Sequence, residues 1–176
     1  ALWEKAYVYK TNVAADGQYA EIRTLWDDEA TYALVKVFDP TYDVTGSDAH
    51  TKDSVEFFFL TPEDAEANSF GKNGGQWRIN RANQVTVTFG MNEPFYAKAT
   101  EMADGKGYIV EARLDLADDW TIENESIMNF DVAVNLCANG NRTEAVAWTS
   151  GDCYNNPNTA GEMVYLNTSA GESVVA

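Results

Sequence analysis

Thr31-Tyr32-Ala33-Leu34-Val35-Lys36-Val37-Phe38 repeats with period two, which sets Ala33, Val35 and Val37 on one side of an extended chain and Tyr32, Leu34 and Lys36 on the other. An amphipathic helix would space its apolar positions by three and four instead. The same alternation recurs in Gln84-Val85-Thr86-Val87-Thr88-Phe89 and in Tyr108 to Leu116. Comparable runs lie at Tyr19 to Trp26, Ser54 to Leu60, Gln76 to Asn80, Phe95 to Thr100, Met128 to Leu136, Glu144 to Trp148 and Gly161 to Asn167. Turn-forming clusters separate them, among them Ala15-Asp16-Gly17, Asp104-Gly105-Lys106-Gly107 and Asn139-Gly140-Asn141. This pattern predicts an all-β fold, an antiparallel β-sandwich of jelly-roll type with about ten short strands. Helix is confined to brief connectors, around Asp115 to Thr121 or Pro62 to Ala67.

The 176 residues carry 28 acidic and 12 basic side chains, a net charge of −16 and a pI of about 4.2. No Lys/Arg cluster exists to displace counterions from phosphates, which excludes nucleic acid and an anionic membrane surface as partners. Hydrophobic content of 45% and aromatic content of 12% support a sizeable core, while the apolar runs stay far short of the ~20 residues needed to cross a bilayer. Without repeats, low-complexity tracts or a composition break, residues 1–176 read as one domain, expected to be a monomer. The Ala1-Leu2-Trp3-Glu4 start lacks an initiator Met and reads as a piece excised from a larger chain. An acidic surface with few Lys and two Cys fits an extracellular setting.

Enzymatic constellations are thin. A Ser or Cys nucleophile usually needs a base, and the one histidine, His50, sits in a Gly/Asp-rich loop without an elbow motif. One His and two Cys separated by 16 positions match no common zinc spacing. Carboxylates abound, so a glycosidase pair is available by number, but solvated surface charge is the simpler account of them.

The stretch Leu25 to Pro40, followed by Asp53-Ser54-Val55-Glu56-Phe57-Phe58-Phe59, carries a family signature together with Gln76-Trp77-Arg78-Ile79-Asn80, Gly107 to Ala112 and Val146-Ala147-Trp148-Thr149. With these motifs the chain resembles carbohydrate-binding module family 9, the non-catalytic sugar-binding modules appended to bacterial xylanases. Leu2-Trp3 resembles the end of the family's opening motif. The resemblance implies a β-sandwich that holds the end of a glucan or xylan chain between two aromatic faces, with charged and amide side chains around the hydroxyls. It further implies a polysaccharide or oligosaccharide ligand, an attached catalytic domain such as a xylanase, and a secreted or cell-surface bacterial location.

Carried over residue by residue, the first stacking position of the family falls on His50 and the second on Tyr154, both smaller rings than the family's tryptophans. Glu56, Arg78 and Asn80 match polar positions that face the sugar, and Asn135 and Asp152 are further candidates. Planar, multidentate groups of this kind replace the water around equatorial hydroxyls, while C–H faces stack on rings. By their own chemistry, Glu56 and Arg78 read equally well as an ion pair on the sandwich surface. His50 and Tyr154 read equally well as ordinary exposed loop residues. Trp26, Trp77 and Trp148 fall in strands and are expected in the packing.

The resemblance also implies structural calcium, for which Asp27, Asp28, Asp43 and Asp48 lie in suitable acidic loops. In an exported protein Cys137 and Cys153 are expected to pair as a disulfide. Two other classes stay open: a haem-binding electron-transfer domain using His50 and Met91 as axial ligands, and a glycoside hydrolase.

Overall fold

A computed structural model describes residues 2–71, 74–90, 95–115 and 121–167. Two antiparallel sheets face each other. The first, in the order β1-β2-β3-β8-β7, joins Tyr9–Lys10 (β1), Tyr19–Trp26 (β2), Ala30–Phe38 (β3), Tyr108–Asp115 (β8) and Phe95–Glu101 (β7). The second, in the order β10-β9-β4-β5-β6, joins Asn141–Ala147 (β10), Ile127–Ala138 (β9), Ser54–Leu60 (β4), Gly75–Asn80 (β5) and Val85–Gly90 (β6). Gly161–Val164 (β11) shares the outer edge of the long β9 with β10: β11 pairs with Ile127 to Phe130, and β10 with Ala133 to Ala138. The expected sandwich is therefore observed. Among the described residues the sequence pattern located ten strands and missed the two-residue β1.

Alternation fixes which side chains meet between the sheets. From the first sheet come Ile22, Val35, Val37, Val110 and Leu114; from the second come Phe57, Phe59, Ile79, Met128, Phe130, Val132 and Val134. Each such side chain, fully withdrawn from water, contributes about 1.5–3 kcal/mol. Trp77 is buried in this core, with Trp26 and Trp148 packed partly buried against it, as expected for strand tryptophans. The Pro62–Glu66 connector forms a short helix (α1), begun by Pro62 and capped by the Thr61 hydroxyl, which accepts from Asp64 N–H. The alternative connector, Asp115 to Thr121, falls largely outside the described residues.

The second sheet departs from a simple one-sided strand pattern. Strands β4 and β5 are buried along their whole length, on the outer as well as the inner face. On that outer face lie Glu56, Gln76, Arg78, Asn80, Asn129, Asp131 and Asn135, a buried polar layer that loops wall in.

Candidate functional site

Cross-strand register assembles the floor of a cleft on this outer face. Glu56 on β4 stands opposite Arg78 on β5 and Ala133 on β9, and Asn135 stands two residues further along β9. The Glu56 carboxylate is a hub. Its Oε1 accepts from Arg78 Nε at 2.8 Å, Arg78 Nη2 at 2.6 Å and Asn135 Nδ2 at 2.6 Å, and its Oε2 accepts from the Gln76 amide. Asn135 also donates to Ser54 Oγ and accepts from Arg142 Nη1 at 3.2 Å. Such charge-assisted bonds hold planar groups in fixed orientations. Arg78 Nη1 keeps no hydrogen-bond partner among the described residues, so the floor offers a positioned cationic donor.

Two loops raise walls over this floor. The first follows β3 and carries His50 in a single 3-10 turn, Ala49–Thr51. Buried Asp53 anchors it, accepting from Asp43 N–H at 2.7 Å and Cys137 N–H at 2.9 Å, with Arg81 Nη1 at 3.7 Å. Burial pushes the Asp53 carboxyl up to about 6, against the lowering effect of those N–H groups and Arg81. Gly46 permits the loop to close on itself, since a Cβ there would lie 2.1 Å from Thr51 Oγ1.

The second wall follows β10 and carries Tyr154. Gly151, at φ +72°, turns the chain in a conformation that side-chain-bearing residues rarely adopt. Buried Cys153 and Pro157 then pin the loop from beneath, leaving Tyr154 half exposed. The Asp152 carboxylate accepts from the side-chain amides of Asn155 and Asn156, bonds that hold it below the usual carboxylate range.

Between the walls is a cleft of about 360 Å³, bordered by His50, Glu56, Phe58, Arg78, Asn135, Arg142 and Tyr154. Five of the seven candidate residues thus converge. The other two do different work: Asn80 closes the β5–β6 turn, accepting from Ala82 and Gln84 N–H, and Asp152 braces the Tyr154 loop. Glu56 and Arg78, open to two readings from sequence, form an ion pair that is buried at the cleft floor instead of lying on the surface.

One further expectation changes on the structure. Cys137 and Cys153 do not pair; both are free and buried, and burial pushes each thiol up to about 12. Cys137 Sγ lies near the His50 carbonyl, whereas Cys153 Sγ lies near the Pro157 carbonyl within a small cluster that includes Phe58 and Ala133. Ala133 and Cys137 sit four residues apart along β9, roughly 13 Å at strand rise, so the two thiols belong to different ends of the cleft.

The four aspartates expected in calcium loops lie in two separate places. Asp27 and Asp28 sit at the β2–β3 turn, at the opposite end of β3 from Asp43 and Asp48. Asp27 is occupied by Glu29 N–H, Ala30 N–H and Tyr32 O–H, and Asp43 by Thr45 and Gly140. No group of three or more candidate metal-ligating His, Cys, Asp or Glu side chains occurs among the described residues. Of the haem pair, Met91 lies outside the described residues.

Sequence reasoning missed Gln76, Arg142 and Asn155. A β-bulge between Arg142 and Glu144 brings Arg142 to the face of Asn135 and shifts the strand's alternation there, which no period-two reading anticipates.

A sandwich with a buried polar floor between two loops that carry His50 and Tyr154 is the architecture of a carbohydrate-binding module. The sequence profile of the family described as carbohydrate family 9 binding domain-like matches residues 1–168, and the chain belongs to that family. It is 30% identical over 172 residues to endo-1,4-beta-xylanase C of Paenibacillus barcinonensis, covering 94% of this chain and 16% of that protein. Exoglucanase XynX of Acetivibrio thermocellus is 28% identical over 176 residues, covering 97% of this chain and again 16% of the relative. Among solved structures, a family 9 module from Caldicellulosiruptor kristjanssonii in complex with cellotriose superposes with a TM-score of 0.81 at 26% identity, covering 99% of this chain and 90% of that one. The chain thus spans about a sixth of the curated relatives it matches.

Proposed function

We propose that the cleft between His50 and Tyr154 binds the end or a short segment of a β-linked glucan or xylan chain, or the soluble sugars derived from it, without cleaving them. The observation that carries this reading is the Glu56 hub, which holds Arg78 and Asn135 in place at the floor of a cleft bordered by His50 and Tyr154. Pyranose C–H faces suit the rings, and the free Arg78 Nη1 and the Arg142 guanidinium suit hydroxyl oxygens. In this reading the module tethers an attached secreted glycoside hydrolase near its polymer, raising the local substrate concentration with no chemistry of its own. The names of the relatives and the cellotriose complex support this choice of ligand and partner.

Calorimetric titration with glucose, xylose, cellobiose and xylobiose tests the reading. Saturable binding of at least one, with no sugar released from xylan or cellulose, is expected. Absence of binding across the set, or release of product, would overturn it.

A further inference from the structure

All five arginines of the chain lie among the described residues, and four of them meet a carboxylate: Arg23 meets Glu21, Arg78 meets Glu56, Arg81 meets Glu101 and Arg113 meets Asp115. Arg142 meets none among the described residues, although the chain carries 28 acidic side chains. Its Nη1 donates instead to the Asn135 side-chain carbonyl at 3.2 Å. In the strand register Arg142 stands opposite Cys137 on β9, so its side chain reaches back two residues along β9 to lie at the cleft. A neutral amide therefore holds the guanidinium in place without spending its charge.

The floor beneath it is rich in donors and short of acceptors. Glu56 Oε1 already accepts three hydrogen bonds and Oε2 one, and Asn135 Oδ1 takes the Arg142 N–H. Arg78 Nη1 and, on Arg142, Nε and Nη2 have no hydrogen-bond partner among the described residues. Two guanidiniums border the cleft against one carboxylate, in a chain of net charge −16. Glu56 offsets Arg78 and leaves Arg142 uncompensated. A hydroxyl that accepts from such donors must still find an acceptor for its own hydrogen. A carboxylate only accepts, and its two oxygens match a guanidinium in a parallel pair of bonds.

We propose that the cleft selects a uronic acid unit, a pyranose whose C6 is a carboxylate, and that Arg142 is the residue that receives this carboxylate. The inference rests on the reading of the cleft as a sugar site and names the class of sugar it prefers: acidic units at the ends or on the branches of a β-linked chain. A uronate keeps the closed ring whose C–H face suits Tyr154 and exchanges one hydroxymethyl group for an anion. The net charge of the chain repels every anion alike, so the preference has to come from the local guanidinium and from the ring together.

The test is calorimetric titration at neutral pH with two matched pairs, glucose against glucuronate and xylobiose against xylobiose carrying a glucuronate branch, and with open-chain gluconate. In at least one pair the acidic sugar is expected to bind about fivefold or more tighter than its neutral partner, the gain of an ionised acceptor over a neutral one. Gluconate, which has the charge without the ring, is expected to bind more weakly than the preferred acidic sugar by a similar factor. Arg142→Gln can keep the bond to Asn135 but loses the charge, and is expected to bring each pair within about twofold. Arg142→Lys, which keeps the charge, is expected to retain a preference, which a purely structural role for Arg142 would not produce. No preference in either pair, a preference that survives Arg142→Gln, or gluconate matching the acidic sugars overturns this inference alone. Binding of the acidic sugars with the neutral ones unbound upholds it and overturns the neutral ligands proposed above. Failure of every sugar to bind overturns the sugar-binding reading and this inference with it.

Discussion

Replacing Glu56 by Gln separates the hydrogen-bonding role of the cleft floor from its charge. The substituted amide can keep its oxygen toward Arg78 and Asn135 and turn its NH2 toward Gln76. Gln76 Oε1 is buried without a hydrogen-bond partner in the native protein, so a rotation of the Gln76 amide would let it accept that NH2. The hydrogen bonds survive, but the anion beside Arg78 is gone, and the Arg78 side chain is only 8% exposed. Removing one partner of a fully buried pair costs about 3–5 kcal/mol. Here the cleft opens above the guanidinium, and the two Arg78 bonds fall from charge-assisted to ordinary strength, a loss of about 1 kcal/mol each. The expected destabilisation is about 2 kcal/mol, which for a domain of this size lowers Tm by about 4–8 °C. Thermal and urea unfolding of the variant measure it, alongside sugar titration, where binding should weaken because Arg78 is no longer held. The double variant Glu56→Gln with Arg78→Met removes both charges and should regain at least half of the lost stability without regaining sugar binding. A single variant as stable as the native protein, or a double variant less stable than the single, would refute the picture of a buried ion pair at the centre of the site.

The walls should behave differently from the floor. Tyr154→Ala is expected to lose about 1 kcal/mol of sugar binding, roughly fivefold, with Tm within about 2 °C of the native value, because the ring is half exposed; an unchanged Kd would remove Tyr154 from the site. His50→Trp adds apolar ring area over the cleft and should tighten binding, and a Kd unchanged or weakened by it would show that position 50 is not a stacking position. Thiol titration without reductant should find two reactive groups in unfolded protein and none in the native state, since both cysteines are free and buried; finding none after unfolding would restore the disulfide. Burial raises the Asp53 carboxyl to about 6 in the folded protein against an ordinary 3.8, so the stability its protonation supplies is fully present below about 4 and is lost as pH rises through about 4 to 6. Asp131, also raised by burial, acts in the same sense. Asp27, Asp43 and Asp152 are lowered and act oppositely, withdrawing stability only as pH falls below the usual carboxylate range. Tm should therefore rise between pH 7 and pH 5, less steeply in Asp53→Asn, and equal slopes in the two proteins would count against this assignment.

What could be read in the sequence follows from how local each feature is. Ala33, Val35 and Val37 announce a strand and its buried face without reference to any other residue, and the same holds for Phe57 and Phe59 or Val132 and Val134. The cleft floor was legible through the family motifs, on which Glu56 and Arg78 fall, and the register then sets Glu56 against Arg78 with Asn135 on the same face. Asn80 obeys the alternation too and stands on the same face, but it is the last residue of β5, where the turn to β6 needs its side chain more than a ligand would. Whether a polar side chain faces a ligand or closes a turn depends on its distance from the strand end, and a motif match does not encode that.

The illegible parts are those where one inserted residue changes a face. Arg142 reaches the site past the irregularity in β10, and Phe89 reaches the outer face past Thr88. Phe89 ends a run that reads as a regular strand and Arg142 precedes the run that begins at Glu144, and in both cases only the partner strand reveals the slip. The cysteine pairing failed for a related reason: Cys137 and Cys153 are 16 positions apart, close enough for a short loop, yet β10 carries the chain back along β9 so that Cys153 returns beside Phe58 and Ala133 and not beside Cys137. Both bulges lie on the strands that flank β9 and β5 in the second sheet, and each moves a side chain to the outer face that carries Glu56, a guanidinium in β10 and a ring in β6. Inward-facing residues such as Val35, Val37, Val132 and Val134 keep the period of two, because packing between the sheets fixes them on one side.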